Sequence, residues 1–290
     1  GKISVGPPYF DAVFMPLMTP ALFLMAIGPI ARWKQAELPD IVVRLRWAAV
    51  VSLVMGLLTP FIMGEWGAVR SIGFTLAFWV MCSVFLMLRE RVQKSPRAGN
   101  VVSKLLGLPN SFLGMCMAHT GVAVFVIGVT MVQSFEVEKD MRMEVGDTVE
   151  LGGYVFRFEG VTRAKGPNYT ADRGQVVVTK GGDVETVLFP EKRVYTVQTM
   201  PMTEAAIDTG FTRDLYVSLG EPVGNGAWSV RVYYKPFVDW IWGGAFIMAL
   251  GGLLAITDRR YRLVTRKVKE EKTSGEKDAA IAGKAVTGES

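Results

Sequence analysis

The chain alternates between two hydrophobic regimes. Four long runs free or nearly free of charge lie in the first 132 residues and a fifth lies near the end; between them the pattern switches to short stretches with a period near two. Apolar runs of about 20 residues cross a bilayer as helices, whereas period-two stretches form half-buried strands. The predicted spans are Phe10 to Ile30, Trp47 to Met63, Ser71 to Leu88, Ser111 to Val132 and Val238 to Ile256. Pro16 and Pro20 interrupt the first, which predicts a kinked or broken helix there. In the polar region, GDTVELGGYVFRFEGV alternates around Gly152-Gly153, and QVVVTKGGDVETVLFP around Gly181-Gly182-Asp183, two hairpin signals. RVYTVQTM, RDLYVSLG and WSVRVYYKPF add runs rich in Val, Tyr and Thr. PMTEAAIDTGFTRD, lying between two of these, predicts a helical turn or an ordered loop.

The pattern predicts a polytopic α-helical membrane protein of about five transmembrane helices with an inserted external all-β domain, a small antiparallel sandwich or open barrel. It divides into a membrane domain at 1–132, a β-domain at 133–237, a fifth helix with a basic anchor at 238–262, and a tail at 263–290. Glu270 to Ser290 has one Ile and one Val as its only branched apolar side chains, too few to offset the entropy of ordering. A disordered cytoplasmic tail is expected.

Composition agrees: mean hydropathy is +0.29, half the residues are hydrophobic, and the chain holds 15 Met and 7 Trp. Net charge is +5, yet Ser134 to Phe237 holds 12 Lys and Arg against 15 Asp and Glu, so the excess lies in the short loops and the tail. That distribution orients a membrane protein and argues against a nucleic-acid partner. The loops after spans one, three and five are the basic ones, which assigns them to the cytoplasm and the β-domain to the outside. The N-terminus then lies outside with no initiator Met and no signal peptide, as expected for a piece of a longer protein. Cys82 and Cys116 both fall inside apolar spans, so no disulfide framework is available to the polar region.

Ser111 to Val132 carries His119, the single histidine of the chain. An ionisable ring in a lipid-spanning helix is costly unless it faces protein, water or a ligand. Two readings fit it: hydrogen bonding to a neighbouring helix or carbonyl, and axial ligation of haem iron by neutral imidazole. Gly114, Gly121 and Gly128 recur every seventh residue as a small-residue stripe for close helix approach. Met115, Cys116, Val122 and Ala123 share the histidine's face and leave room for a flat macrocycle.

VGPPYF, GPIARW, MAHTGVAVFVIG, RVYTVQTMPMTEAAIDTGFTRDLYVSLGEP and WSVRVYYKPFVDWIWGGAFIMALGGLLAITDRRYR together carry a resemblance over nearly the whole chain except the tail. The chain resembles the C-terminal part of the CcmF-type cytochrome c haem lyase family. The resemblance implies a bacterial inner-membrane protein with a periplasmic β-domain that takes part in thioether attachment of substrate haem to the CxxCH motif of apocytochrome c. It implies a haem b held by two transmembrane histidines, of which His119 matches the second, and reduction of the incoming haem by quinol. The implied partners are membrane lipid, the upstream half of the lyase, a haem chaperone, apocytochrome c and thiol-reducing maturation proteins. The family's Trp-rich external motif, two external histidines and first transmembrane histidine have no counterpart here, so the second axial ligand is expected from the upstream part. The alternative reading is a membrane-anchored scaffold whose β-domain binds a protein partner and carries no redox cofactor.

Arg193, Arg213, Asp214 and Tyr216 lie in the densest matching stretch, and an arginine there suits either a haem propionate or the holding of strands and loops, the second favoured. Glu204 reads as a carboxylate at a helix N-terminus, Trp240 and Trp242 as an aromatic belt, and Arg259 and Arg260 as an end-of-helix anchor. No Ser/His/Asp set, phosphate loop or zinc cluster is written in the sequence.

Overall fold

A computed structural model describes residues 6, 9–31, 37–64, 66–197 and 200–258. The expected tail, the anchor residues Arg259 and Arg260, and Arg32 and Lys34 of the first loop lie outside the described residues. Six α-helices are seen among them: α1 (Met15–Ile27), α2 (Leu38–Ile62), α3 (Ala68–Gln93), the short α4 (Val101–Leu105), α5 (Asn110–Phe135) and α6 (Val238–Ile256). Four of these, α2, α3, α5 and α6, are long and apolar enough to cross a membrane.

The first expected span is the exception. A π-helical turn at Phe10–Phe14 precedes α1, which has only 13 residues. At about 1.5 Å per residue α1 is roughly 20 Å long, short of a hydrocarbon core of about 30 Å. Proline sets the limits: Pro16 fits the first turn, where no N–H is needed, and the helix stops before Gly28-Pro29, while it continues through Pro20 with one interior donor missing.

One apolar cluster ties the membrane helices together. Ala26 of α1, Leu45 and Ala48 of α2, Trp79, Val80 and Val84 of α3, and Cys116 and Ala123 of α5 belong to it. Trp79 stacks on Phe23 at 5.7 Å and donates its Nε1–H to the Phe23 carbonyl at 3.0 Å, so its polar atom is satisfied away from lipid.

The polar region folds into two packed antiparallel sheets. Strands β1 (Val137–Met143), β10 (Ala227–Pro236), β9 (Arg213–Gly224) and β8 (Ala206–Asp208) form one, in that order. The other runs β2 (Thr148–Leu151), β3 (Tyr154–Lys165), β4 (Tyr169–Lys180), β6 (Glu191–Tyr195) and β7 (Pro201–Glu204), with β5 (Asp183–Leu188) also on β4. Alternate residues face inward, so Phe156, Phe158, Val176 and Val178 of one sheet meet Leu215, Val217, Val230 and Val232 of the other in a core at most 1% exposed. Gly152 and Gly153 have φ of 58° and 77°, as the tight β2–β3 hairpin requires. The expected turn or loop in PMTEAAIDTGFTRD is instead two short strands, β7 and β8, separated by Ala205. The chain changes sheets there, because β7 pairs with β6 and β8 with β9.

Helices and sandwich join without linkers. Phe135 ends α5 and Val137 begins β1, while Pro236 ends β10 and Val238 begins α6. Since β1 and β10 are antiparallel neighbours, α5 and α6 leave the sheet side by side as an antiparallel pair. Gly114, Gly121 and Gly128 of α5 lie against the α6 backbone at Gly251, Gly244 and Ile241. At the far end Asp258 closes the pair: its carboxylate, 6% exposed, accepts the Ser111 N–H at 3.0 Å, and Asn110 Nδ2 donates to Thr257 Oγ1 at 3.0 Å. Helix α5 has no side-chain cap of its own, so Asp258 supplies one from another element. Loss of a cap costs about 0.5–2 kcal/mol. Asp258→Ala is therefore expected to lower the melting temperature by a few degrees, and Asp258→Asn, which keeps an acceptor, by less; equal melting of all three proteins would contradict the cap.

Candidate functional site

His119 is the tenth residue of the 26-residue α5. At about 1.5 Å per residue it lies about 14 Å from the helix start and about 24 Å from the end that enters the β-sandwich. Helix α5 has two occupied faces. The glycine row meets α6, while Cys116, Ala123 and Thr130 face α3, with Thr130 against Gly73. At about 100° per residue His119 points about 140–180° away from the glycine row and about 40–60° from Ala123 and Cys116. It sits at the border of the α3 contact and is half-buried.

The imidazole is held by its own helix. Nδ1 lies 2.9 Å from the Met115 carbonyl oxygen. A carbonyl only accepts, so Nδ1 carries the proton, and in the neutral ring Nε2 keeps a bare lone pair. This arrangement, Nδ1–H on a carbonyl and Nε2 free, is the one in which histidine serves as a metal ligand. Cys116 is 4% exposed and Ala123 fully buried, so the wall beside the ring is apolar and partly small. Among the described residues no group of three or more His, Cys, Asp or Glu side chains is placed to hold a metal ion. A macrocycle that itself fills the equatorial positions of iron asks the protein only for axial donors. One imidazole held through Nδ1 by the Met115 carbonyl, beside an apolar wall, fits that demand.

The charged residues of the densest matching stretch serve the sandwich. Arg193 donates Nε–H to Glu191 at 2.7 Å and lies over the Tyr169 ring at 4.5 Å. Arg213 donates to the Tyr154 hydroxyl at 3.0 Å, to Glu185 at 2.7 Å and to Asp208. Asp214, buried, accepts the Gly210 N–H at 3.2 Å, and burial pushes its carboxyl above the ordinary range. Tyr216 meets Tyr233 edge-on at 4.9 Å. Both arginines are engaged by carboxylates already, which favours their structural role over propionate binding. Glu204, expected at a helix N-terminus, ends strand β7 and lies 3.6 Å from Arg193; no helix forms there because the segment pairs with β6.

Glu191 and Asp258 are structural residues the sequence did not single out. The Glu191 side chain is 6% exposed and accepts from Arg173 at 2.5 Å as well as from Arg193. Burial alone would raise its pKa, but the two guanidinium groups outweigh burial and hold it below the ordinary carboxylate range. A carboxylate depressed in the folded state adds stability above its unfolded pKa, and that stability is lost as pH falls through the folded value. Glu191→Gln is therefore expected to lower thermal stability at neutral pH and to flatten its decline below about pH 4.3; identical pH–stability curves for the two proteins would exclude the role.

Comparison with known proteins places this architecture. Residues 134–236 match the family described as CcmF C-terminal beta-sandwich. Over 270 residues the chain is 45% identical to the cytochrome c-type biogenesis protein CcmF of Pseudomonas aeruginosa, covering 93% of this chain. The chain belongs to the CcmF family. Escherichia coli CcmF is 40% identical over 277 residues, 95% of this chain. The match is to the C-terminal part of CcmF, and the chain spans about 40% of the length of these curated relatives. A solved structure named Cytochrome c Heme Lyase CcmF superimposes with a TM-score of 0.70 over 87% of this chain and 41% of that one; at 22% identity it supports the fold.

Proposed function

We propose that the chain acts as the C-terminal part of a cytochrome c maturation haem lyase, set in the bacterial inner membrane with its β-sandwich in the periplasm. In this reading His119 would hold a haem b within the membrane, together with a histidine from the upstream part of the lyase. The observation that carries the reading is the imidazole itself, with Nδ1 fixed on the Met115 carbonyl and Nε2 free. When bound, haem b supplies one-electron transfer between quinol and the substrate haem. The Met115 carbonyl holds the ring in one tautomer and orientation. The unbroken passage from α5 into β1 and from β10 into α6 keeps the sandwich at a fixed height over the relay.

Substrate haem, delivered by a haem chaperone, then meets apocytochrome c on the outer side, its cysteines kept reduced by thiol-reducing partners. Each thiol adds across a vinyl group, forming one C–S and one C–H bond with no net electron transfer. The substrate haem iron is ferrous for this addition, and a haem b held at His119 would supply that reduction. The test is the reduced-minus-oxidised absorbance of the chain purified with and without the upstream part. A b-type signal is expected when both are present; its complete absence from the assembled protein would favour a scaffold without a redox cofactor.

The sidedness has its own test. Arg89, Arg91 and Lys94 at the end of α3, with Arg97 and Lys104 beyond, support a cytoplasmic side for that end of the bundle. A reporter active only outside the cytoplasm is expected to work when fused near Gly166 or Gly182 and to fail near Lys94. Activity near Lys94 and silence at Gly182 would reverse the orientation.

A further inference from the structure

We propose that the loop at 209–212, between β8 and β9, rests on the lipid bilayer, with the Phe211 ring seated between headgroups and acyl chains as a third foot of the sandwich. Strand register points the loop at the membrane. Val137, two residues past the end of α5, pairs with Tyr234; Tyr234 pairs with Leu215, and Leu215 with Asp208. These four residues form the edge of the sheet that faces the helices, and the loop extends beyond it.

Contacts fix the height. The Phe237 N–H donates to the Thr212 carbonyl at 3.0 Å, and Trp240 Nε1–H donates to the Phe211 carbonyl at 3.1 Å. The Phe211 and Trp240 rings are 5.7 Å apart. Trp240 is the third residue of α6, whose 19 residues at about 1.5 Å each give about 28 Å. A hydrocarbon core of about 30 Å leaves such a helix almost no length to spare, so its first turn lies at the core boundary. Phe211 therefore sits within about 6 Å of that boundary, inside the headgroup layer, which is about 5–7 Å deep on each side. Phe211 is nevertheless 74% exposed on the protein, and Trp242 in the first turns of α6 is 72% exposed. Large apolar rings left uncovered beside a membrane-crossing helix are matched by lipid at the interface.

The position gives the foot a task. Helices α5 and α6 leave the sheet from adjacent strands β1 and β10, and β8 lies two strands further across. At about 4.8 Å per strand that is about 10 Å off the helix pair, so contact there resists rocking of the sandwich about the two helices. This inference needs no haem and stands apart from the function proposed above.

The test uses the chain assembled with its upstream part in phosphatidylcholine vesicles, with Cys82→Ala and Cys116→Ala. A nitroxide is attached at Phe211→Cys, or at Val223→Cys, 52% exposed near the β9–β10 turn at the far end of the sandwich. Collision with oxygen, which partitions into lipid, is compared with collision with a water-soluble nickel chelate. The oxygen-to-nickel ratio is expected to be several-fold higher at 211 than at 223. Equal ratios, or shielding of position 211 from both relaxants as if against protein, overturn the proposal. A photoreactive benzoylphenylalanine at position 211, with both native cysteines kept, gives the same decision if the cysteine-free protein fails to fold: crosslinks to lipid are expected, and crosslinks to protein alone overturn it.

Discussion

Gly121→Leu is expected to abolish accumulation of the folded chain, and Gly121→Ala to lower its melting temperature sharply. A Cβ at Gly121 would stand 2.7 Å from the Gly244 carbonyl oxygen and 2.7 Å from the Met248 backbone nitrogen. Both are backbone atoms, so no side chain can swing aside. Overpacking ordinarily costs about 1–3 kcal/mol because the neighbourhood shifts to relieve it. Here relief is blocked at both ends of the helix pair. Above, α5 and α6 are spliced into the paired strands β1 and β10; below, Asp258 caps α5 from the end of α6. Gly243→Ala and Gly252→Ala are the controls, since nothing lies within 4 Å of a Cβ at either position. Alanine favours a helix by up to about 1 kcal/mol over glycine, so these changes should leave stability unchanged or raised. Accumulation reads Gly121→Leu, and thermal unfolding of the three purified alanine variants reads the rest. Normal accumulation and melting of Gly121→Ala would show that the two helices do not meet along the glycine row.

Much of this architecture was legible where one force dominates. The last span was expected at Val238 to Ile256 and α6 has those limits, because apolar length alone decides it. Ser111 to Val132 lies inside α5, which extends three residues further at its C-terminal end, where Gln133 and Ser134 carry the helix out of the apolar zone toward the sandwich. The hairpin at Gly152-Gly153 was legible for a local reason, its demand for positive φ.

The misses share a different cause. Strands β7 and β8 have four and three residues, too few to display a period, and their Glu-Ala-Ala junction suits a helix equally well. Pairing with the flanking strands β6 and β9, one in each sheet, decides the outcome. Asp258 reads as one charge beside a basic anchor until the helix pair carries it to Ser111, 147 residues away in sequence. Glu191 likewise gains its meaning only when Arg173 arrives on the neighbouring strand. For the candidate site, the residue was legible but its tautomer was not, since that depends on the position of a carbonyl one helical turn back.

His119→Ala, assembled with the upstream part, is expected to lose the b-type absorbance and most cytochrome c maturation while keeping its melting temperature close to that of the parent. The two readouts part because of where the ring sits. Its hydrogen bond to the Met115 carbonyl is an addition to the ladder of its own helix, and a bond of that kind contributes about 1 kcal/mol net. The packing around it is carried by Cys116 and Ala123, which the substitution leaves in place. Removing the ring opens space without removing a core anchor, so added imidazole can enter and offer the same nitrogen. Partial return of the signal with imidazole is expected, and no misfolded protein would respond in that way. His119→Met, which keeps an apolar side chain with a soft donor, should shift the reduction potential upward if any haem is retained, as thioether ligation does. Retention of the full b-type signal by His119→Ala at normal accumulation would return the residue to a packing role, leaving the apolar wall at the α3 border as a helix contact with no ligand to hold.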